Sequence, residues 1–328
     1  MGKHIITGEK SRAETDRRLA EMETHLTEIY SRASRELDEK VLRYFARFEA
    51  QDKRKAAQVA AGKLDPEEYT EWRKNKMLYG EQYKKFQESV TNQLAHINET
   101  ALAYINGEMP EVYVLNYNDM GTAISDAVPR NVRTGTAFEL TDAETVRILA
   151  TEDVTLLPHK TLNIPKDKRW NAKKMQSEIL QGIIQGEGIL QIAKRLYSVQ
   201  DETRTEEERK LLKANEMSAI RNARTMVTSA ENRGRLESMR RCRNSLGIVT
   251  RKHWLSSDQP GRTRDWHLPG AFEHLTVDED EPFVNELGEI MYPGDPSAAP
   301  ANVYNCRCSM TAEVIGFIDP ETGELNEI

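Results

Sequence analysis

Cysteine is nearly missing from this chain: there are three in 328 residues, Cys242, Cys306 and Cys308, and so low and odd a count excludes a disulfide framework. It also points to synthesis in a reducing compartment. Long apolar runs are missing too. Nothing approaches the roughly 18 apolar residues of a membrane-spanning helix, and Met1-Gly2-Lys3-His4 does not lead into an apolar stretch of the signal-peptide kind. No membrane partner is therefore expected, and the cytoplasm is the default place of origin. Aromatic residues are sparse at 7%, while charged residues make up 30% and mean hydropathy is −0.69, the profile of a soluble, strongly helical protein with much exposed surface. The length allows one large core or two modest ones and leans towards two domains.

A net charge of −7 conceals an asymmetry. From Glu273 to Ile328 there are thirteen Asp or Glu against one Arg, a net −12, which leaves +5 on the first 272 residues. Positive charge is densest from Arg221 to Arg243, where Arg221, Arg224, Arg233, Arg235, Arg240, Arg241 and Arg243 stand against two glutamates. Such a stretch can line up against the phosphate backbone of double-stranded DNA, which needs only clustered positive charge. The same arginines can equally form a solvated helix face or pair with the acidic C-terminal segment.

Apolar residues recur at steps of three and four from Leu19 to Phe48, through Met22, Leu26, Ile29, Ala33, Leu37, Val41 and Phe45, so residues 11–57 read as one long amphipathic helix. Asp65-Pro66-Glu67-Glu68 reads as a helix start, with an N-cap, a proline at the first helical position and acids in the first turn. A third helix carries Phe86, Val90, Leu94, Ile97, Ala101 and Ile105 on one face and is expected to stop at Gly107 and Pro110. Residues 1–110 thus form an amphipathic helical domain. Its first stripe looks longer than two partners can cover, leaving apolar area for another chain. Residues 111–150 read as an irregular connection with a short strand at 112–115.

From residue 151 to 328 a helical lead-in precedes a small β-containing region. Two helices are expected within 169–196, joined at Gly186-Glu187-Gly188, and two more helical pieces from Glu206 to Arg243, with the small stripe Ala219, Ala223, Val227 and Ala230 allowing close packing. The glycines near 182–188 mark this helix corner and not a phosphate cradle, since no Lys-Ser or Lys-Thr follows. After Gly247 the period changes to two. Residues 248–255 and 306–314 read as strands, with Cys306, Cys308, Met310, Ala312 and Val314 on one face. The fold class is α+β, mostly α: an N-terminal long-helix bundle, a helical lead-in and a small antiparallel C-terminal domain.

On one strand face, Cys306 and Cys308 could chelate a metal together with His267, His274 or His253. Their register with Met310, Ala312 and Val314 makes core thiols the simpler reading. Asp258, Arg262, Arg264, Asp265 and His267 gather acid, cation and imidazole within ten residues, which suits acid–base work or phosphate contact but also a loop scaffold of salt bridges. Glu279-Asp280-Glu281 with Arg251 offers the carboxylates of an ADP-ribosyltransferase, but a solvated acidic loop is the simpler reading, and Ser256-Ser257 does not complete that pattern. An enzyme of that class, or a metal-dependent nuclease on the 258–308 loops, is the alternative to a non-enzymatic scaffold.

Taken in order, Lys252-His253-Trp254, Asp258, Arg262 to His267, Glu281-Pro282-Phe283, Pro293-Gly294-Asp295-Pro296 and Asn305-Cys306-Arg307-Cys308 resemble the signature of the phage Mu protein F-like minor head proteins. The helical elements from Leu157 to Thr225 resemble that family's lead-in, so the likeness covers roughly residues 150–315. It implies a minor capsid protein in few copies, assembled in the host cytoplasm and resident in the virion near the portal. The expected partner is the portal protein, and scaffolding or major capsid protein and double-stranded DNA are further partners. Trp254, Asp258, Arg262, Arg264, His267, the 293–296 turn and residues 305–308 are then architectural. No catalytic residue, metal or cofactor is carried over, because Met226 stands where an acid is expected and His267 leads into Leu268-Pro269-Gly270.

Overall fold

In a computed structural model, which describes residues 4–135, 137–196, 210–257 and 263–328, the first apolar stripe lies on a single helix, α1 (Glu9–Ala60). Asp65 caps α2 (Pro66–Leu78) through a 2.7 Å bond from the Glu67 amide, as the local sequence demands. The helix α3 (Glu81–Ala127) does not stop at Gly107 or Pro110. Proline removes one helical hydrogen bond and crowds the preceding turn, at a cost of about 3 kcal/mol. Here the buried series Met109, Val112, Tyr113, Met120 and Ile124 continues the apolar face beyond it, and that burial prevails. The expected strand at 112–115 is therefore helix, and α4 (Ala143–Glu152) occupies part of the expected irregular connection.

The expected apolar surplus on α1 is not left open. Leu19, Met22, Leu26, Leu37, Val41, Phe45 and Phe48 are all buried within the chain. The corner at 182–188 forms as expected between α5 (Ile164–Ile184) and α6 (Ile189–Lys194). One helix, α7 (Lys210–Leu246), replaces the two pieces expected, and the residues before Lys210 lie outside those described.

Contacts divide the chain into two compact units, and not at residues 110 and 150. One unit comprises Thr24–Ala103 and Thr161–Ile220; the other comprises Met1–Glu23, Tyr104–Lys160 and Arg221–Ile328. The lead-in helices thus belong with the N-terminal ones. Polar groups show why. Asn98 on α3 donates to Asp167 on α5 at 3.0 Å and to Asn215 on α7 at 2.8 Å, and it accepts from the Tyr30 hydroxyl of α1 at 2.6 Å. Tyr44 stacks on Phe86 with centroids 4.1 Å apart and donates to the Met77 carbonyl, closing α1 over α2 and α3.

The other unit is built on an antiparallel sheet larger than the two strands expected. Its order is β1 (His4–Ile6), β6 (Ser309–Ile318), β2 (Ile248–Leu255) and β3 (Thr276–Asp278), with β7 (Leu325–Glu327) also paired to β6. A separate hairpin joins β4 (Phe283–Asn285) to β5 (Gly288–Ile290), and a short helix, α8 (Pro300–Val303), precedes the Asn-Cys-Arg-Cys run. On β2 the alternation is as read: Ile248, Thr250, Lys252 and Trp254 are buried. Ile248, Met310, Ala312 and Val314 pack with Met120 and Ile124 of α3 and Leu236, Met239 and Leu246 of α7. Gly234 lets α7 lie against α3, since a Cβ there would meet the Tyr113 carbonyl oxygen at 2.5 Å. Among the described residues no helix is long and apolar enough to cross a membrane.

Candidate functional site

The face of α7 presented to the start of β6 carries Thr225, Thr228, Asn232 and Arg235, spaced three, four and three residues apart. Each holds backbone of the Asn305–Met310 segment or its neighbour. The Thr225 hydroxyl accepts from the Asn305 amide at 2.9 Å, and Thr228 donates to the Cys306 carbonyl at 2.7 Å. Asn232 donates to the Cys308 carbonyl at 3.3 Å and accepts from the Met310 amide at 2.9 Å. Arg235 donates to the Met310 carbonyl at 2.8 Å, to Ser309 Oγ at 2.9 Å and to Asn116 at 3.1 Å. Asn305 itself adopts φ 57°, a left-handed turn that asparagine tolerates better than most residues, and this turns the chain out of α8 and into the cysteine run. Strand β6 begins only at Ser309, so Cys306 and Cys308 precede it and are not part of it.

Opposite this segment, Asp265–His267 forms a single 3-10 turn. Arg264, just before it, donates to the Ala301 carbonyl at 2.7 Å and also to the Tyr304 carbonyl, tying the turn to α8. The His267 carbonyl accepts from the Ser256 hydroxyl. Its ring stands edge-on to Trp254 at 5.3 Å and is flanked by Phe272. Both tails of the motif therefore converge. His267 Nδ1 lies 3.5 Å from Cys306 Sγ and 3.8 Å from Cys308 Sγ, and the three donor atoms all fall within 4.8 Å of one another.

All three side chains are buried, and the thiols also join an apolar cluster of Trp254, Phe272, Val277, Phe283 and Ile290, so the core-thiol reading is correct as far as packing goes. Yet the same three residues line a cleft of about 390 Å³ with Ser257, Thr263, Asn305 and the arginines Arg224, Arg264 and Arg307. A hydrogen bond from Cys306 holds the Cys308 thiol below its ordinary range, with His267 adding to the effect, while the Cys306 thiol is pushed up by its bond to Cys308 and by burial. Among the described residues the cleft is lined by thiols, an imidazole, hydroxyls, an amide and guanidinium groups, a set that can meet a metal ion or an anion.

The Pro293-Gly294-Asp295-Pro296 turn is a brace. Gly294 has φ 85°, and a Cβ on it would meet the Ser229 amide nitrogen at 2.7 Å, so only glycine lets the turn approach α7. Asp295 accepts from the Met291 amide at 3.0 Å, the Ser297 amide at 2.9 Å and the Ser297 hydroxyl at 2.6 Å, closing the turn on itself. Asp258 and Arg262 lie outside the described residues. His253 bonds Thr276 at 2.8 Å, away from the thiols, and His274 is not among the grouped donors.

The arginine stretch is largely committed inside the molecule. Arg235 is fully buried and paired with Glu231, which corrects its expected place on a DNA-facing surface. Arg224 pairs with Glu23 at 2.6 Å, Arg233 with Glu237, and Arg241 with Glu139. Arg240 pairs with Asp280 and Arg243 with Glu279, both in the acidic C-terminal segment. Arg221 is exposed. Glu279 is itself buried, bonded to Thr250 at 3.2 Å, and burial raises its carboxyl above the usual range, while Arg251 pairs with Asp278. Thr225, Thr228 and Asn232 carried no sequence signal of their own beyond sharing a helix face with Arg235.

Neither a scan against protein-family models nor searches of curated proteins and of solved structures found a match to this chain.

Proposed function

We propose that this chain is a minor head protein of a tailed double-stranded DNA phage, an architectural and not an enzymatic component that binds the portal and serves head assembly and genome packaging or ejection. The observation that carries the proposal is the convergence of the ordered motif. Trp254, Arg264, His267, Gly294, Asp295, Asn305, Cys306 and Cys308, spread over residues 254–308, meet in one unit, and most of their hydrogen bonds go to backbone groups that fix neighbouring turns. This is what an architectural motif needs.

Portal contact through the first apolar stripe is not part of the proposal, because that stripe is covered within the chain. Contact with DNA, if the arginines make it, narrows to the exposed Arg221, Arg241 and Arg243, of which the last two are already paired with carboxylates. The proposed residence is the virion, near the portal, after assembly in the host cytoplasm.

The test is co-expression of the full chain with the portal protein encoded in the same genome, followed by size-exclusion chromatography, together with mass spectrometry of purified heads. Co-elution and presence in the particle at few copies are the expected results. Separate elution with absence from the particle would reject the proposal. Catalytic turnover by the purified chain of a nucleotide or phosphodiester, lost on His267→Ala without unfolding, would support the enzyme alternative instead.

A further inference from the structure

We propose that His267, Cys306 and Cys308 form a three-ligand zinc site whose fourth coordination position opens onto the cleft beside Arg264. Donor chemistry comes first. Two thiol sulfurs and one imidazole nitrogen are soft or borderline ligands, the set that zinc takes, whereas magnesium and calcium require oxygen. Three such donors from two distant parts of the chain, residues 267 and 306–308, are brought within 4.8 Å of one another.

The spacing fits a metal polyhedron. With zinc–sulfur and zinc–nitrogen bonds of about 2.3 and 2.0–2.1 Å, tetrahedral coordination sets nitrogen and sulfur roughly 3.6 Å apart. The two nitrogen–sulfur separations here are 3.5 and 3.8 Å, so both nitrogen–sulfur edges of one face of such a tetrahedron are in place, and all three donors lie within 4.8 Å of one another. The elements that hold the ligands are rigid: Thr228 and Asn232 anchor the carbonyls of Cys306 and Cys308, Ser256 anchors that of His267, and Trp254 and Phe272 flank the imidazole. Nδ1 faces the sulfurs, while buried Nε2 has no hydrogen-bond partner among the described residues, so no other group competes for the orientation of the ring.

The fourth position follows from the surroundings. His267, Cys306 and Cys308 all line the cleft, so the side of the ion not covered by protein faces it. Zinc with two thiolates and a neutral imidazole carries no net charge. The Arg264 guanidinium is spent on two backbone carbonyls, so its positive charge stays at the rim, and no carboxylate among the described residues lines the cleft to take the open position. The chemical class that fits there is water or a small anion. The inference does not depend on the phage assignment.

Zinc analysis of the reduced, full-length chain after incubation with zinc and gel filtration tests the site. One zinc per chain is expected for wild type and for Cys242→Ser, whose thiol is buried in the separate α3–α7–sheet core. The double variant Cys306→Ser/Cys308→Ser, checked for folding by circular dichroism, should lose it. Wild type that retains no zinc with all three thiols free, or a folded double variant that retains the same zinc, would overturn the proposal. Cobalt substitution of wild type reads the site even where the double variant misfolds. A thiolate-to-cobalt charge-transfer band and the strong visible bands of four-coordinate cobalt are expected, and their absence from cobalt-loaded protein sinks the ligand set. Azide added to the cobalt form should shift the visible bands; bands that do not move would overturn the open position.

Discussion

The buried knot around Asn98 in the helical unit is made almost entirely of neutral groups, whereas the knot around Arg235 in the sheet unit is built on a charge. In the first, Tyr30, Asn98, Asn171 and Asn215 exchange amide and hydroxyl bonds of 2.6–2.9 Å, with Asp167 as the one acid, its carboxyl raised by burial. In the second, a fully buried guanidinium gathers Glu231, Asn116, Ser309, and the Met310 and Gly8 carbonyls. Neutral bonds can be lost one at a time. Removing one partner of a buried charged network leaves an uncompensated charge, which costs far more. Helix packing in one unit thus rests on a modest polar core, while the start of β6 in the other is held by a buried cation, with Thr228 and Asn232 tying the cysteine carbonyls beside it.

Four substitutions test that contrast. Arg235→Met should cost the most, about 3–5 kcal/mol in urea unfolding, because Glu231 is left buried without its cation and the Met310 carbonyl without its donor. A loss below about 1 kcal/mol would put the two knots on the same footing. Asn98→Leu should cost about 1–3 kcal/mol by the same measurement, since its partners are neutral or half-buried.

Lys252 tests whether a charge without a partner behaves as the contrast requires. Its ammonium is buried under the Phe283 ring and donates to the Met291 carbonyl at 2.8 Å, with Arg240 on one side and Asp280, Asp295 and Glu279 at longer range; burial above all pushes its pKa down to about 7. The unfolded chain keeps the ordinary value near 10.5, so between pH 7 and 10.5 it binds more protons than the folded chain and stability rises with pH. Lys252→Met should therefore melt higher than wild type below pH 7, by something on the order of a few degrees, and the gap should narrow by pH 10. A constant gap across that range would show that the lysine stays charged. The smallest effect is expected at Asp65→Ala, about 1 kcal/mol or less, since an exposed N-cap serves only the first turn of α2. A larger loss there would mean that α2 relies on its cap more than on Tyr44 and Met77.

Much of the fold could be read from periodicity. The steps of three and four from Leu19 to Phe48 became α1, Asp65-Pro66 became the start of α2, and the alternation from Ile248 to Leu255 became β2. Pro110 misled because a local rule about breaking helices met a buried stripe that continued to Ile124, and the burial prevailed. The short strands β1, β3, β4, β5 and β7 were invisible, since three residues are too few to show a period and their pairing partners lie far away in sequence. Of the candidate site, Cys306, Cys308 and His267 could be named from residue type and motif. Their meeting, and the service of Thr225, Thr228 and Asn232, could not.

Sequence alone determined where α1, α2 and β2 form, which of their faces are apolar and which residue types could bind a metal, because those follow from side-chain chemistry repeated over short distances. Only the tertiary structure decided where the charges go. Arg235 and its neighbours looked alike as seven cations in 23 residues, and it is the packing of α7 against β6 that buries one and pairs the rest of the committed set with carboxylates as distant as Glu23 and Asp280. Desolvation and pairing depend on what stands opposite a side chain, and no local pattern records that.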